Sequence, residues 1–306
     1  MRRRRAPHYW DSAVGARHSA DGLASPRRVP SPEGRVPSPW RVVAASVAGA
    51  GHERAGVPCQ DAHHWALAAG GTLVAAVADG AGSASLGGLG AEVASRAAVR
   101  AAARALPAGP DAAVLRETLR ATLGGALAVA RAAVGAEAAA RAAAPQDLAT
   151  TLIVVAALPG GEAVAAMQVG DGAAVCADAG GRLHTLTSPR WGEYVNETAF
   201  LSTPGAVEAA QWGWWEPNGN APDGAPSSGA ARLAVLSDGL QMLALAMPAG
   251  DPHPPFFAPL LRYAAGAADP GTAAEGLAAF LRGPRVAART DDDVTLLLAV
   301  REEECC

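Results

Sequence analysis

The stretch that decides the fold is Leu73–Gly80, which reads LVAAVADG. Six apolar residues in a row fit a β-strand that is buried on both faces, and the run stops at an Asp-Gly pair. An acidic residue therefore lies at the end of a buried strand. Similar apolar runs predict further strands at Val42–Val47, Thr151–Leu158, Ala163–Val169, Ala173–Ala177, Leu233–Leu236 and Val294–Val300.

Helical periodicity separates these strands into blocks. The spacing predicts two long helices, Gly88–Leu106 and Asp111–Arg141, with Asp111 as the N-cap of the second. Shorter helices are predicted at Phe256–Ala265 and Ala273–Arg282. The Gly170-Asp171-Gly172 turn between two strands predicts a hairpin. Strands in blocks and helices in blocks indicate an α+β fold.

Composition limits the class of protein. The chain has 306 residues, of which 50% are hydrophobic, and a formal net charge of −4. That charge argues against a nucleic-acid partner, because such a protein usually carries a basic face. Arginines and glutamates interrupt the alanine-rich stretches, so we expect no membrane partner. Four cysteines without paired spacing favour a reducing, cytoplasmic location.

The first 39 residues differ in composition from the rest. They are rich in Arg, Pro and Ser and repeat the phrase Val-Pro-Ser-Pro at 29–32 and 36–39. Because such a segment cannot bury a core, we predict a disordered tail at 1–39 and one domain at 40–302.

The segment 188–229 has little periodicity and contains Trp191, Trp212, Trp214 and Trp215. We predict a long surface excursion, which either recognises substrate or covers the domain with its tryptophans.

Aspartates stand beside a strand end or turn in four separate places. These are Asp61, Asp79, Asp238 and the run Asp291–Asp293, and both Asp79 and Asp238 precede a glycine. An Asp-Gly pair alone is most often a turn. However, three of the four places adjoin apolar strands, where carboxylates can converge at one sheet edge and repel unless a cation neutralises them. Mg²⁺ and Mn²⁺ prefer such oxygen ligands.

Several motifs also follow one another in a recognisable order. They are Gly51–Asp61 with its Cys-Gln-Asp ending, Val77–Ser83, Ala149–Leu152, Gln168–Gly172, Glu193–Thr198, Leu236–Gly239 and Asp292–Leu296. The ordered set resembles the PP2C (PPM) type of metal-dependent serine/threonine protein phosphatase, particularly its bacterial branch. The resemblance implies a four-layer αββα sandwich, in which two antiparallel β-sheets are flanked by helices. It also implies a phosphorylated protein as substrate, supplied by a Ser/Thr kinase pathway.

The resemblance further implies a centre of two Mn²⁺ or Mg²⁺ ions. Asp79 matches the carboxylate that bridges both metals, and the carbonyl of Gly80 matches a ligand. Asp238 and Asp292 match carboxylates on one metal, and Asp61 matches an acid that holds metal-bound water. Two such cations, about 3.5–4 Å apart, would activate water for in-line attack on the phosphoryl group.

The chain departs from the usual pattern of the family at three positions. Gln60 stands where many relatives have glutamate, which removes a charge from the second metal site, and Asp293 stands where many have asparagine. Ala81 replaces a histidine that can protonate the leaving group, so the proton must come from elsewhere: a metal-bound water, His63 or His64.

A cation is also needed to bind the phosphate. Arg54 and His52 lie close to the position of the family's arginine, and we predict that one of them binds phosphate, with Arg54 preferred because arginine binds phosphate through two donors.

Three other functions compete with this interpretation. A dinucleotide site fails because Asp79 would repel a pyrophosphate and Ser85 replaces the third glycine. A zinc site fails because Cys59 and its neighbouring histidines lack the required spacing. A pseudophosphatase that binds a phosphoprotein without turnover remains the alternative, since Gln60 and Ala81 favour it and the retained aspartates oppose it.

Overall fold

The computed structural model describes residues 40–189, 198–217 and 229–302. Within these ranges the strands are β1 (Trp40–Val47), β2 (Asp61–Leu67), β3 (Leu73–Asp79), β4 (Leu152–Ala157), β5 (Val164–Val169), β6 (Ala173–Asp178), β7 (Leu183–Thr187), β8 (Gln211–Trp215), β9 (Ala230–Leu236), β10 (Leu245–Ala246), β11 (Asp251–Pro252) and β12 (Val294–Arg301). The helices are α1 (Ala50–Ala55), α2 (Gly87–Ala105), α3 (Leu115–Ala140), α4 (Gln241–Ala244), α5 (Pro254–Ala265), α6 (Pro270–Leu281) and α7 (Pro284–Ala287).

The longer strands form two five-stranded antiparallel sheets. One sheet has the order β1-β12-β9-β6-β7 and the other has the order β2-β3-β4-β5-β8, while β10 and β11 pair separately. Alternate residues of each strand point to opposite faces, and each sheet is covered on one face by the other sheet and on the other face by helices.

Three apolar layers hold the sandwich together. The middle layer lies between the sheets and includes Val77, Ile153 and Leu297. One outer layer joins the second sheet to α2 and α3, and the other joins the first sheet to α5 and α6. The predicted four-layer αββα architecture is therefore confirmed.

Several predicted elements are also confirmed, with small shifts at their ends. The run Leu73–Asp79 is β3, and its residues up to Ala78 are fully buried as the continuous apolar pattern predicts. Asp111 does act as a cap, but its side chain accepts a bond from the Ala113 N–H at a short 3-10 turn, and α3 begins only at Leu115.

Two predictions about the middle of the chain are wrong. The Gly170–Gly172 turn is no hairpin, because β5 belongs to the second sheet and β6 to the first, so the turn carries the chain between sheets. The segment 188–229 is not only an irregular excursion, because Gln211–Trp215 pairs with β5 as the edge strand of the second sheet. The predicted tail, Trp191 and most of the 193–198 motif lie outside the described residues.

The tryptophans of β8 pack on the domain. Trp212 and Trp214 lie against the outer layer formed by α2 and α3. The guanidinium group of Arg120 lies 5.9 Å from the ring centre of Trp212, and that of Arg116 lies 5.7 Å from the ring centre of Trp214. These described tryptophans thus cover the core, as one of the two interpretations predicted.

One helical stretch in the described part of the chain, Ala112–Ala140, is long and apolar enough to cross a membrane by length and composition alone. Its residues Leu119, Leu123 and Leu127 are completely buried in the layer against the second sheet. A core helix of this kind passes the same test.

Candidate metal centre

The predicted acidic residues gather at one end of the sandwich. Asp61 begins β2 and faces Asp79, the last residue of β3, across the antiparallel pair. Asp238 follows β9 after one intervening serine, and Asp293 alone separates Asp292 from the start of β12. Strand register aligns Asp61 with Asp79 in the second sheet, and in the first sheet the pairing of Leu236 with Leu296 places Asp238 and Asp292 at one end of their strands.

Asp79 is fixed through its backbone. Its N–H donates to the Thr151 hydroxyl at 3.1 Å, and its carbonyl accepts from the Thr150 hydroxyl at 2.9 Å. One carboxylate oxygen of Asp79 lies within 4.8 Å of carboxylate oxygens of Asp171 and Asp238. Among the described residues, these three aspartates are the one acidic group whose oxygens all lie this close together, and we call them the carboxylate cluster.

Asp171 was not among the residues that the sequence analysis assigned to the metal site. It lies in the turn between the sheets, where the Thr198 hydroxyl donates to its side chain at 2.7 Å and the Gln241 amide donates to its carbonyl at 2.6 Å. The Gly-Asp-Gly motif was the available signal. Its interpretation as a hairpin turn concealed its position beside Asp79.

The glycines beside Asp171 explain how it reaches the cluster. Gly170 has a φ of +110°, which favours glycine, and a Cβ there would stand 2.5 Å from the Thr151 Cβ. A Cβ on Gly172 would stand 2.5 Å from the Leu236 carbonyl oxygen. The turn therefore requires glycine on both sides of the acid.

Asp61 is buried and held by the strands of both sheets. The Ser237 hydroxyl donates to its Oδ2 at 2.7 Å, and the same hydroxyl accepts from the Thr295 N–H at 2.9 Å. Its other oxygen, Oδ1, is buried without a partner among the described residues, as is Oδ1 of Asp238. Each of these two acids thus has one oxygen to which no described residue is assigned as a hydrogen-bond donor, and the Asp61 carboxyl also lies against that of Asp79.

The two adjacent aspartates before β12 have different surroundings. Asp292 is exposed, and its side chain accepts from the Asp293 N–H at 2.8 Å. Asp293 is buried, with 2% of its surface accessible, and accepts from the backbone N–H groups of Gly49 and Gln60. Its Oδ1 also lies 2.9 Å from the Nδ1 of His52.

Burial and mutual repulsion make it costly to ionise these acids together. Burial is the main cause that raises the pKa of Asp61 to about 7, that of Asp79 to about 11 and that of Asp238 to about 7. Coulombic repulsion from Asp61, Asp238 and Asp292 raises the pKa of Asp79 further. A bound divalent cation would reverse these effects.

The donor set fits hard cations. The carboxylate cluster offers carboxylate oxygens, and Oδ1 of Asp61 and Oδ1 of Asp238 are buried without an assigned donor. Gly80, next to Asp79, is tightly enclosed, since a Cβ there would stand 2.3 Å from the Gly87 carbonyl carbon. Oxygen ligands of this kind suit Mg²⁺ and Mn²⁺.

Known proteins resemble this chain over most of its length. The family model described as "Protein phosphatase 2C" matches residues 48–282. The "Serine/threonine-protein phosphatase 3" of Escherichia coli (strain K12) is 35% identical over 271 residues, which cover 86% of this chain and 99% of that protein. The chain belongs to the protein phosphatase 2C family.

Solved structures show the same fold as this protein phosphatase 2C chain. The serine/threonine phosphatase Stp1 from Staphylococcus aureus aligns with a TM-score of 0.58 and 14% identity, covering 89% of this chain and 100% of that one. The S. agalactiae serine/threonine phosphatase gives 0.55 and 15% identity, covering 86% and 100%. At these identities the likeness concerns the fold.

The two residues suggested for phosphate binding in this protein phosphatase 2C chain differ in exposure and in the aspartate that they contact. Arg54 is 70% exposed and pairs at 3.4 Å with the equally exposed Asp291. His52 is less exposed and contacts the buried Asp293. The structure therefore ties His52, more closely than Arg54, to the acidic end of the sandwich.

The two histidines suggested as proton donors are both buried. His63 lies between the sheets with its Nδ1 2.8 Å from the Ser46 hydroxyl, and His64 lies under α2 with its Nδ1 3.0 Å from the Ser95 hydroxyl. Burial lowers the pKa of each to about 4. Neither can reach a protein substrate from these positions.

Proposed function

We propose that this protein phosphatase 2C chain hydrolyses phosphoserine and phosphothreonine in proteins with the help of two Mn²⁺ or Mg²⁺ ions. The observation that carries the proposal is the carboxylate cluster, in which three aspartates from three separate segments of the chain bring oxygens within 4.8 Å of one another. Like charges this close and partly withdrawn from solvent are stable together only with a neutralising partner.

Asp79, the Gly80 carbonyl, Asp238 and Asp292 would hold the cations, and Asp171 adds a fifth donor that the geometry suggests. When bound, two cations activate water and polarise the phosphoryl oxygens. The catalytic residues on this proposal are Asp61, Asp79, Asp238 and Asp292.

Asp61 has a separate task. Ser237 occupies its Oδ2, and no described residue is assigned as a donor to its Oδ1, so once cations hold Asp79 this oxygen would accept a hydrogen bond from the attacking water and orient it. Arg54 and His52 remain the proposed phosphate-binding residues, and His52 lies on the helix whose start is bonded to the loop of Asp292.

The substrate on this proposal is a protein phosphorylated by a Ser/Thr kinase pathway, and the protein acts in the cytoplasm. Both cysteines of the described residues, Cys59 and Cys176, are free, which is compatible with a reducing compartment.

A phosphothreonine peptide tests the proposal. We expect no phosphate release in the presence of a chelator and full release after excess Mn²⁺ is added. Turnover that resists the chelator would contradict a metal mechanism. Tight binding of the peptide with no turnover under Mn²⁺ would instead support the pseudophosphatase alternative.

A further inference from the structure

Hydrolysis of phosphoserine or phosphothreonine expels the side-chain oxygen as an alkoxide, which is a poor leaving group unless a nearby acid protonates it. The position directly after the Asp79-Gly80 pair is Ala81, which has no proton to give. If the proposed function is correct, another residue of this chain can supply the proton.

The described residues contain five histidines, and four of them are unsuitable. His63 and His64 are buried. His184 lies on β7 and pairs with Asp178, at the end of β6 opposite the acidic loops, and His253 lies at the start of α5 beside an apolar groove. His52 remains.

His52 is attached directly to the acidic end of the sandwich. The Gly49 N–H that precedes α1 donates to Asp293, and the Gly51 N–H donates to the Asp291 carbonyl, so the start of α1 is fixed against the loop that carries Asp292. The second oxygen of Asp293 accepts from the Gln60 N–H, next to Asp61.

We propose that His52 is the catalytic acid of this chain and that Asp293 is the residue that positions it. Asp293 accepts the hydrogen bond from Nδ1, and this contact fixes the ring and leaves Nε2 to face away from the carboxylate. The imidazole is 23% exposed, so it is accessible to a substrate. An aspartate at position 293 thus has a function that an asparagine, with one charge fewer, would perform less well.

The proposed step balances as follows. The attacking water forms a bond to phosphorus while the bond from phosphorus to the serine or threonine oxygen breaks. That oxygen takes the Nε2 proton of the His52 imidazolium and leaves as the alcohol. The proton lost by the attacking water passes to solvent, from which His52 is protonated again.

The test compares substrates that differ in the need for an acid. His52→Gln should reduce kcat on a phosphothreonine peptide by at least about 100-fold, the lower range for general acid catalysis. On p-nitrophenyl phosphate, whose leaving group is a stable anion, kcat should change by less than about threefold, since little protonation is needed.

The chain offers a matched control. His184 has a similar exposure, 26%, and also pairs with an aspartate, so His184→Gln makes the same chemical change away from the site. It should leave both substrates unaffected. The Mn²⁺ affinity and thermal midpoint of His52→Gln should match those of the unmodified protein, which would exclude misfolding or loss of metal.

Equal losses on the two substrates, or a change confined to KM, would overturn the assignment and leave His52 as a phosphate ligand. The proposed function would survive that result, because Mn²⁺-dependent turnover of p-nitrophenyl phosphate by the unmodified protein tests it separately. Absence of that turnover would refute both.

Discussion

Asp61 and Asp79 face each other directly across β2 and β3, at the position where one strand begins and the other ends. Like charges at directly opposed positions destabilise a strand pair. These two strands are nevertheless fully paired along the seven residues of each. The metal-free protein must therefore hold protons at this edge, and the loaded protein must hold cations there.

The first prediction concerns pH in the absence of metal. The pKa of Asp61 and of Asp238 is raised to about 7 and that of Asp79 to about 11, from an ordinary value of 3.8. A raised folded-state pKa stabilises the fold fully below about pH 4, and this contribution is lost as pH rises through the folded-state value. In chelator, the thermal midpoint should decrease as the pH is raised from about 5 to about 8.

Calorimetry with and without Mn²⁺ checks this dependence. Bound cations replace the protons, so the fall should be much smaller with saturating Mn²⁺. A midpoint in chelator that rises over the same range would show that these carboxylates ionise freely in the folded protein.

A second prediction concerns the hydroxyl groups around Asp61. Thr295 is completely buried, its N–H donates to Ser237, and its hydroxyl lies 2.7 Å from that of Ser46. Thr295→Val keeps the shape but leaves the Ser46 hydroxyl with one partner fewer. We expect the free energy of unfolding to fall by about 1–3 kcal/mol, as measured by urea denaturation.

Thr187→Val is the matched control for that substitution. Thr187 is also buried, but its hydroxyl has no partner among the described residues. Removal of an unsatisfied hydroxyl should be neutral or stabilising. Equal losses in the two variants would mean that the hydrogen bonds of Thr295 contribute nothing specific.

A third prediction separates two glycines. Gly170→Ala places a Cβ 2.5 Å from Thr151 at a φ of +110°, so it should lower the thermal midpoint strongly and shift Asp171. Gly135→Ala in α3 meets nothing within 4 Å, and it should stabilise the protein by up to about 1 kcal/mol because alanine favours helix. The thermal midpoints of both variants, measured in chelator, test this prediction. A higher midpoint in both variants would show that the turn tolerates a side chain.

The fold was predictable wherever apolar runs were long. Leu73–Asp79 is buried on both faces, so its composition alone indicated a strand. β2 was missed because it reads DAHHWAL, and its polar residues find partners that no local pattern reveals, such as Ser46 for His63 and Ser95 for His64. β8 was missed because its tryptophans and glycine resemble loop composition.

The site was predictable in part for a similar reason. Asp79 and Asp238 adjoin strands that the apolar pattern indicated, and the structure brings both together. Asp171 was missed because the sequence does not show that its two flanking strands belong to different sheets. Asp292 is exposed and Asp293 is buried because the backbone at the start of α1 bonds to the loop that carries them. These contacts join distant parts of the chain, so the sequence pattern could not predict them.

The central claim is that the carboxylate cluster binds the cations that drive hydrolysis, and Asp79→Asn tests it most directly. This change keeps the size of the side chain and removes one charge of the cluster. We expect Mn²⁺-dependent turnover of a phosphothreonine peptide to fall at least about 10³-fold, or about 4 kcal/mol of transition-state stabilisation. Calorimetric titration should show weakened Mn²⁺ binding, while the thermal midpoint in chelator should be nearly unchanged, because the amide resembles the protonated carboxyl that the metal-free protein holds at this position. A folded Asp79→Asn protein with near-normal Mn²⁺ binding and turnover would contradict the account.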